Sequence, residues 1–154
     1  MKPALLLVDI QNDYFPGGKM ELVNIDQASS NARLLLDKFR DQDIETFHIQ
    51  HTFKDDSAGF FMPNTDGCEI HGSVDPLPGE KVVHKNFPNS FRETTLYSQL
   101  KENNIPDLVI CGAMSHMCIE ATTRAAADYG FKCVVVQDAC ATRDVEFQDK
   151  IVSA

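Results

Sequence analysis

An α/β fold, with helices on both faces of a mostly parallel sheet, is what this sequence predicts, and three observations carry the prediction. Ala4-Leu5-Leu6-Leu7-Val8 is continuously apolar rather than alternating, the pattern of a strand buried on both faces. Apolar segments of strand length alternate with segments of helical period along the chain. Polar residues punctuate the strand ends, and in open parallel sheets the carboxyl ends of strands are where ligand chemistry gathers. With 154 residues, 43% of them hydrophobic, the chain has enough material for one domain over 1–154 with a real core, and too little for two.

The elements follow in order. The first strand, Ala4 to Val8, ends in Asp9. Ala28, Ala32, Leu35, Leu36 and Phe39 then recur at helical spacing, with Asp26 as the expected N-cap, and Ile44 to Ile49 reads as the second strand. From Thr52 to Gly79 periodicity dissolves into Gly, Pro, Asn and Asp around Phe60-Phe61-Met62, a long excursion of the kind that forms functional lids. Lys81 to His84 is strand-like and Asn86 to Asn89 a turn. A helix is expected from Thr94 to Asn103 and a strand from Leu108 to Cys111. After Cys118 a helix carries Glu120, Arg124 and Asp128 at four-residue spacing and stops at Gly130, and Lys132 to Gln137 is the last clear strand. The sum is a three-layer α/β/α sandwich, Rossmann-like, around a sheet of five to six strands.

Composition excludes several classes of partner. A net charge of −9, from 14 Lys and Arg against 23 Asp and Glu, lacks the basic footprint that nucleic acid or an anionic membrane requires. No apolar run approaches the length of a bilayer span, and the apolar run after Met1-Lys2-Pro3 ends at Asp9 within one short strand, so no signal peptide is expected. The five cysteines, at 68, 111, 118, 133 and 140, are odd in number and form no Cys-x-x-Cys pair. They read as free thiols in a reducing compartment, so the expected location is cytoplasmic and the expected partner a small-molecule substrate.

The chemistry centres on Val109-Ile110-Cys111-Gly112-Ala113-Met114-Ser115-His116-Met117-Cys118, where an apolar strand breaks at glycine and restarts as an Ala-rich helix. A thiol near the start of a helix is expected to have its thiolate favoured by the macrodipole and free amides. By itself such a cysteine is more readily explained as a small core residue. Nucleophilic attack needs a base, a cation and oxyanion donors as well, and Asp9 and Lys85, each ending an apolar strand, could pair beside Cys118.

Asp, Lys and Cys in this order, within Leu6-Leu7-Val8-Asp9-Ile10-Gln11-Asn12-Asp13-Tyr14-Phe15, Lys85-Asn86-Phe87-Pro88-Asn89-Ser90-Phe91 and Ile110 to Cys118, resemble the isochorismatase-like cysteine hydrolases, which include nicotinamidases and N-carbamoylsarcosine amidohydrolases. The resemblance covers nearly the whole chain, including Asp138-Ala139-Cys140-Ala141-Thr142. It implies Cys118 as nucleophile, Asp9 as general base and acid, and Lys85 as the cation that orients Asp9 and lowers the thiol pKa. It also implies a cis peptide between Ala113 and Met114, with the amides of Met114 and Cys118 as the oxyanion hole. The implied reaction is hydrolysis of an amide or carbamoyl C–N bond of a small molecule through a thioester, without a cofactor. The alternatives are an isochorismatase-type hydrolase of another substrate and a binding module that keeps the fold.

His48, His51 and His71 flank Asp55, Asp56 and Asp66 and raise the question of a metal. Nicotinamidase-type relatives hold one through an Asp-x-His pair, which this chain lacks, and His48 and His51 fall on opposite faces of a strand, so none is expected. His116 is expected to point away from Cys118. Phe15, Phe60 and Phe61 are the candidates for an aromatic wall around the substrate, with core packing as the alternative for each. Members of the resembled family continue by about a helix and an edge strand past the position of Ala154, so a C-terminus truncated relative to them, with a strip of apolar sheet uncovered, is expected, and family habit implies a homo-oligomer.

Overall fold

The computed structural model describes residues 2–154, the side chain of Asp56 apart. Its centre is a five-stranded, wholly parallel sheet in the order β3-β2-β1-β4-β5, formed by β1 (Ala4–Val8), β2 (Thr46–His51), β3 (Lys81–Lys85), β4 (Asp107–Ala113) and β5 (Lys132–Ala141). Every residue of β1 is buried, as its unbroken apolar run requires of the central strand.

Alternation along β1 divides the core into two halves. Leu5 and Leu7 pack with the apolar stripe of helix α1 (Ile25–Asp41), whereas Ala4, Leu6 and Val8 face the other layer, made by α2 (Leu96–Glu102) and α3 (Glu120–Asp128). The three-layer sandwich is therefore as predicted, with five strands in its sheet.

Several boundaries differ from expectation for identifiable reasons. The cap of α1 is Asn24 in the left-handed conformation, one residue before the helix, so Asp26 lies in the first turn, where its charge favours the helix dipole without capping. β2 begins at Thr46, two residues late, because Ile44 still bonds back to the end of α1. β5 runs on to Ala141 through an irregularity opposite Ile110 to Gly112, and a small antiparallel hairpin follows, β6 (Val145–Phe147) with β7 (Lys150–Val152). As an outer strand, β5 leaves Val134 and Val135 exposed, and the hairpin exposes Phe147, Ile151 and Val152.

Segment 52–79 has no strand within it, only three short 3-10 turns, at Asp56–Ala58, Asp66–Cys68 and Gly72–Val74. It is tied down from beneath. The buried Asp13 carboxylate accepts from the backbone N–H of Phe61 at 2.7 Å and of Lys19 at 3.2 Å. Gly67 lies directly against that carboxylate, where any Cβ would collide with it. Among the described residues no helix is long and apolar enough to cross a membrane.

Candidate active site

Asp9, Lys85 and Cys118, 109 positions apart from first to last in the sequence, meet at the carboxyl end of the sheet. Asp9 follows β1 directly and adopts a left-handed φ of 53°, a conformation that Asp tolerates better than most residues. Lys85 is the last residue of β3. Cys118 belongs to a π-helical turn, Ser115–Ile119, that links β4 to α3, and π turns of this kind recur at functional sites. Gly112 makes the approach possible, because with φ at 122° its Cα lies so close to the Val8 carbonyl that a Cβ would overlap it. The peptide bond between Ala113 and Met114 is cis.

The Lys85 ammonium is the hub. Its Nζ lies 2.8 Å from Asp9 Oδ2 and 3.4 Å from Cys118 Sγ, and all three side chains are buried. A third acceptor completes it: Nδ1 of His51, the last residue of β2, at 2.9 Å. His51 and Lys85 are register partners across the β2–β3 ladder, so their side chains stand side by side on one face of the sheet. In the sequence His51 stands out only as a possible metal ligand, two residues past the predicted end of the second strand, and nothing local pairs it with Lys85.

Electrostatics set the resting protonation. Burial raises the Asp9 pKa, but the Lys85 charge outweighs it and holds the carboxyl below its ordinary range. The Cys118 thiol moves the other way, pushed far up by burial first and by Asp9 second, with Lys85 offsetting only part. This corrects the expectation of a thiolate favoured by the helix end. The sulfur is enclosed within the π turn beside a carboxylate, and burial with Asp9 raises the thiol more than the Lys85 charge lowers it. The resting site is thus a thiol, a carboxylate and an ammonium. Tyr14 adjoins it, its hydroxyl pKa raised by burial and by proximity to Asp9 and Cys118.

Asp9, His51 and Cys118 place three potential metal ligands within 4.8 Å of one another. The Lys85 ammonium sits among them at 2.8, 2.9 and 3.4 Å, where a cation would have to go. His48 faces the opposite side, toward Glu80, in keeping with the strand argument that separates it from His51.

The aromatic candidates divide. Phe61 is fully buried, its ring 6.1 Å from that of His51 and 4.5 Å from that of Tyr14. Phe60 is half-buried and meets Phe53 edge-on at 5.1 Å. Phe15 is buried and stacks on His71 at 3.5 Å. Phe60 alone of the three keeps substantial exposed surface near the site. His116 is exposed and bonds to Thr142, away from Cys118.

Comparison with known proteins identifies the family and the fold. Residues 3–153 match the Isochorismatase domain. The chain is 53% identical over its full length to the isochorismatase family protein YddQ of Bacillus subtilis, covering 86% of that protein. It is 33% identical to a streptothricin hydrolase of Streptomyces noursei, over 92% of this chain and 55% of that one. A solved structure from Oleispira antarctica, assigned to the isochorismatase hydrolases, superimposes with a TM-score of 0.94 at 50% identity, over 99% of this chain and 82% of that one. The N-carbamoylsarcosine amidase of Thermoplasma acidophilum does so with a TM-score of 0.86 at 27% identity, over 93% of this chain and 86% of that one. A buried Asp, Lys and Cys at the ends of a parallel sheet, and a match over 3–153, lead to one statement: the chain belongs to the isochorismatase family of hydrolases.

Proposed function

We propose that the protein is a cysteine hydrolase that cleaves the C–N bond of a small amide or carbamoyl compound through a thioester. The observation that carries this reading is the buried contact of one ammonium with both a carboxylate and a thiol, at 2.8 and 3.4 Å. Among the similar proteins, a streptothricin hydrolase and an N-carbamoylsarcosine amidase lend support to the substrate class.

In the proposed cycle Asp9 takes the Cys118 proton as the sulfur adds to the carbonyl carbon, and the carbonyl π electrons move to oxygen. Backbone N–H groups of Met114 and Cys118 receive that oxyanion, and Lys85 stays protonated to balance the charge that passes between sulfur and carboxylate. Collapse re-forms the carbonyl and breaks the C–N bond, with protonated Asp9 giving its proton to the departing nitrogen. Water then adds to the thioester, Asp9 accepting one of its protons, and the second collapse releases a carboxylic or carbamic acid and returns the proton to Cys118. The net change is amide plus water to acid plus amine. Because the resting thiol is protonated, proton removal belongs to the attack itself, and Asp9 acts as an acceptor rather than as a spectator of a preformed thiolate.

Phe60, with the buried Phe61 packed against it, forms the aromatic side of the substrate site in this reading, and neither metal nor cofactor takes part. Five free cysteines fit a cytoplasmic location. The exposed apolar side chains of β5 and the β6–β7 hairpin fit a homo-oligomer, which light scattering on the purified protein tests directly. For the activity, the wild-type chain and Cys118→Ala are incubated with a panel of primary amides and N-carbamoyl compounds. Amine release and, by intact mass, an acyl adduct on Cys118 are expected for the wild type alone. Turnover that survives in Cys118→Ala would overturn the assignment.

A further inference from the structure

We infer that His51 is a positioning residue for Lys85, acting as the neutral third acceptor that aims the ammonium at both Asp9 and Cys118. The inference rests on the proposed thiol chemistry and adds to it a residue outside the Asp, Lys and Cys set.

A lysine ammonium has three N–H bonds. Lys85 Nζ has three acceptors, Asp9 Oδ2 at 2.8 Å, His51 Nδ1 at 2.9 Å and Cys118 Sγ at 3.4 Å. With each donor assigned, the ammonium has one orientation, and its third proton is directed at the sulfur. Removing one acceptor leaves a buried donor free to rotate toward whichever oxygen is nearest, and the carboxylate wins because an ionised acceptor binds more strongly than a thiol.

The chemistry of the third acceptor matters as much as its presence. As acceptor, Nδ1 carries a lone pair, so the imidazole is the tautomer with its proton on Nε2. A carboxylate in that place would add a second negative charge beside Cys118 and oppose development of charge on sulfur. Imidazole holds the ammonium without doing so.

The surroundings hold His51 in place for that role. Its backbone is fixed from outside. The Gln11 carboxamide accepts from the His51 N–H at 2.8 Å and donates to its carbonyl at 2.8 Å, with a further bond to Cys68 O at 2.7 Å. Phe53 packs against the imidazole, with ring centroids 4.5 Å apart and planes tilted by 34°, and limits its rotation. The ionisable groups around the ring are Asp9 from the end of β1, Lys85 from β3, Cys118 from the π turn and, across Phe61, Tyr14.

The test is the pH profile of Cys118 alkylation by iodoacetamide, followed by peptide mass mapping, which needs no substrate and so separates this inference from the amidase reading. His51→Leu keeps the bulk and removes the acceptor, whereas His51→Asn places an amide oxygen close to the position of Nδ1. Alkylation of Cys118 in His51→Leu is expected to be about tenfold slower at a given pH, with its profile moved to higher pH, and His51→Asn is expected to recover most of the wild-type rate. Should His51→Leu fail to fold, His51→Ala with and without added imidazole replaces it, imidazole restoring the rate. A wild-type profile in His51→Leu, or equal impairment of His51→Asn and His51→Leu, would overturn the inference, as would absence of imidazole rescue in His51→Ala.

Discussion

His48 and His51 stand three residues apart on β2, each beside a carboxylate and a cation, and the two clusters are built differently. Around His48, Glu80 accepts two bonds from the Arg40 guanidinium, at 2.7 and 2.8 Å, one from the Leu77 N–H at 2.8 Å, and a contact from His48 Nε2 at 3.0 Å. Both partners of that ion pair keep contact with water, at 15% and 14% side-chain exposure. Around His51 the ion pair is completely enclosed and one acceptor of the ammonium is a thiol; each imidazole leaves one nitrogen without a partner among the described residues, His48 Nδ1 and His51 Nε2, but only here does a carboxylate oxygen, Asp9 Oδ1, lack one as well. The first cluster uses nearly all the bonding capacity of its carboxylate and ties α1 to the segment before β3. The second leaves capacity unused, which is what a site needs if protons are to move within it.

If that contrast is right, mutations in the two clusters separate activity from stability. The largest effect is expected at Cys118→Ala and Asp9→Asn, which should lower turnover by roughly 10³-fold or more. Far-UV circular dichroism should show both variants folded. An Asp9→Asn enzyme with near-wild-type turnover would remove Asp9 from the proposed mechanism.

Next is Lys85→Met. It leaves a buried carboxylate without its cation, so urea midpoints should fall by the equivalent of about 3–5 kcal/mol, and activity should be lost as well. The double variant Asp9→Asn with Lys85→Met should regain much of that stability and none of the activity, a combination that distinguishes an uncompensated charge from lost packing.

At the other cluster the sign pattern reverses. Glu80→Gln should cost about 1–3 kcal/mol in urea unfolding while leaving kcat/KM within roughly twofold of wild type. Its pH dependence sharpens the point. Burial works to raise the Glu80 pKa, but bonds from Arg40, Leu77 and His48 bring it down to about 2. Because the folded pKa lies below the unfolded one, near 4.3, the contribution of Glu80 is fully present above that value. It is lost as the pH falls toward 2. Acid titration of stability over that window should be steeper for the wild type than for Glu80→Gln, and parallel curves would refute the assignment.

The smallest effect is expected at the exposed Glu120 and Arg124 pair on α3, where water and salt screen the interaction. Arg124→Ala should leave both the urea midpoint and turnover at wild-type values.

Much of the architecture is legible in the chain. Ala4 to Val8 is apolar at every position, the pattern of a strand buried on both faces, and it is the central strand of the sheet. Asp9 and Lys85 could be placed as polar ends of apolar strands. The pairing of His51 with Lys85 was not legible, since it depends on the register of two strands separated by segment 52–79. Nor was the position of the Cys118 thiol, because how far burial and Asp9 raise it depends on how the turn around it packs.

What the sequence determined by itself, then, is the alternation of strand and helix and the identity of the groups at the strand ends, both of which follow from local pattern and side-chain chemistry. The tertiary structure alone decided which of those groups touch, how far each is removed from water, and where their protons rest. Distances of 2.8, 2.9 and 3.4 Å around one ammonium arise from the packing of four separate segments, and electrostatic energies at that range depend on burial that no single segment encodes.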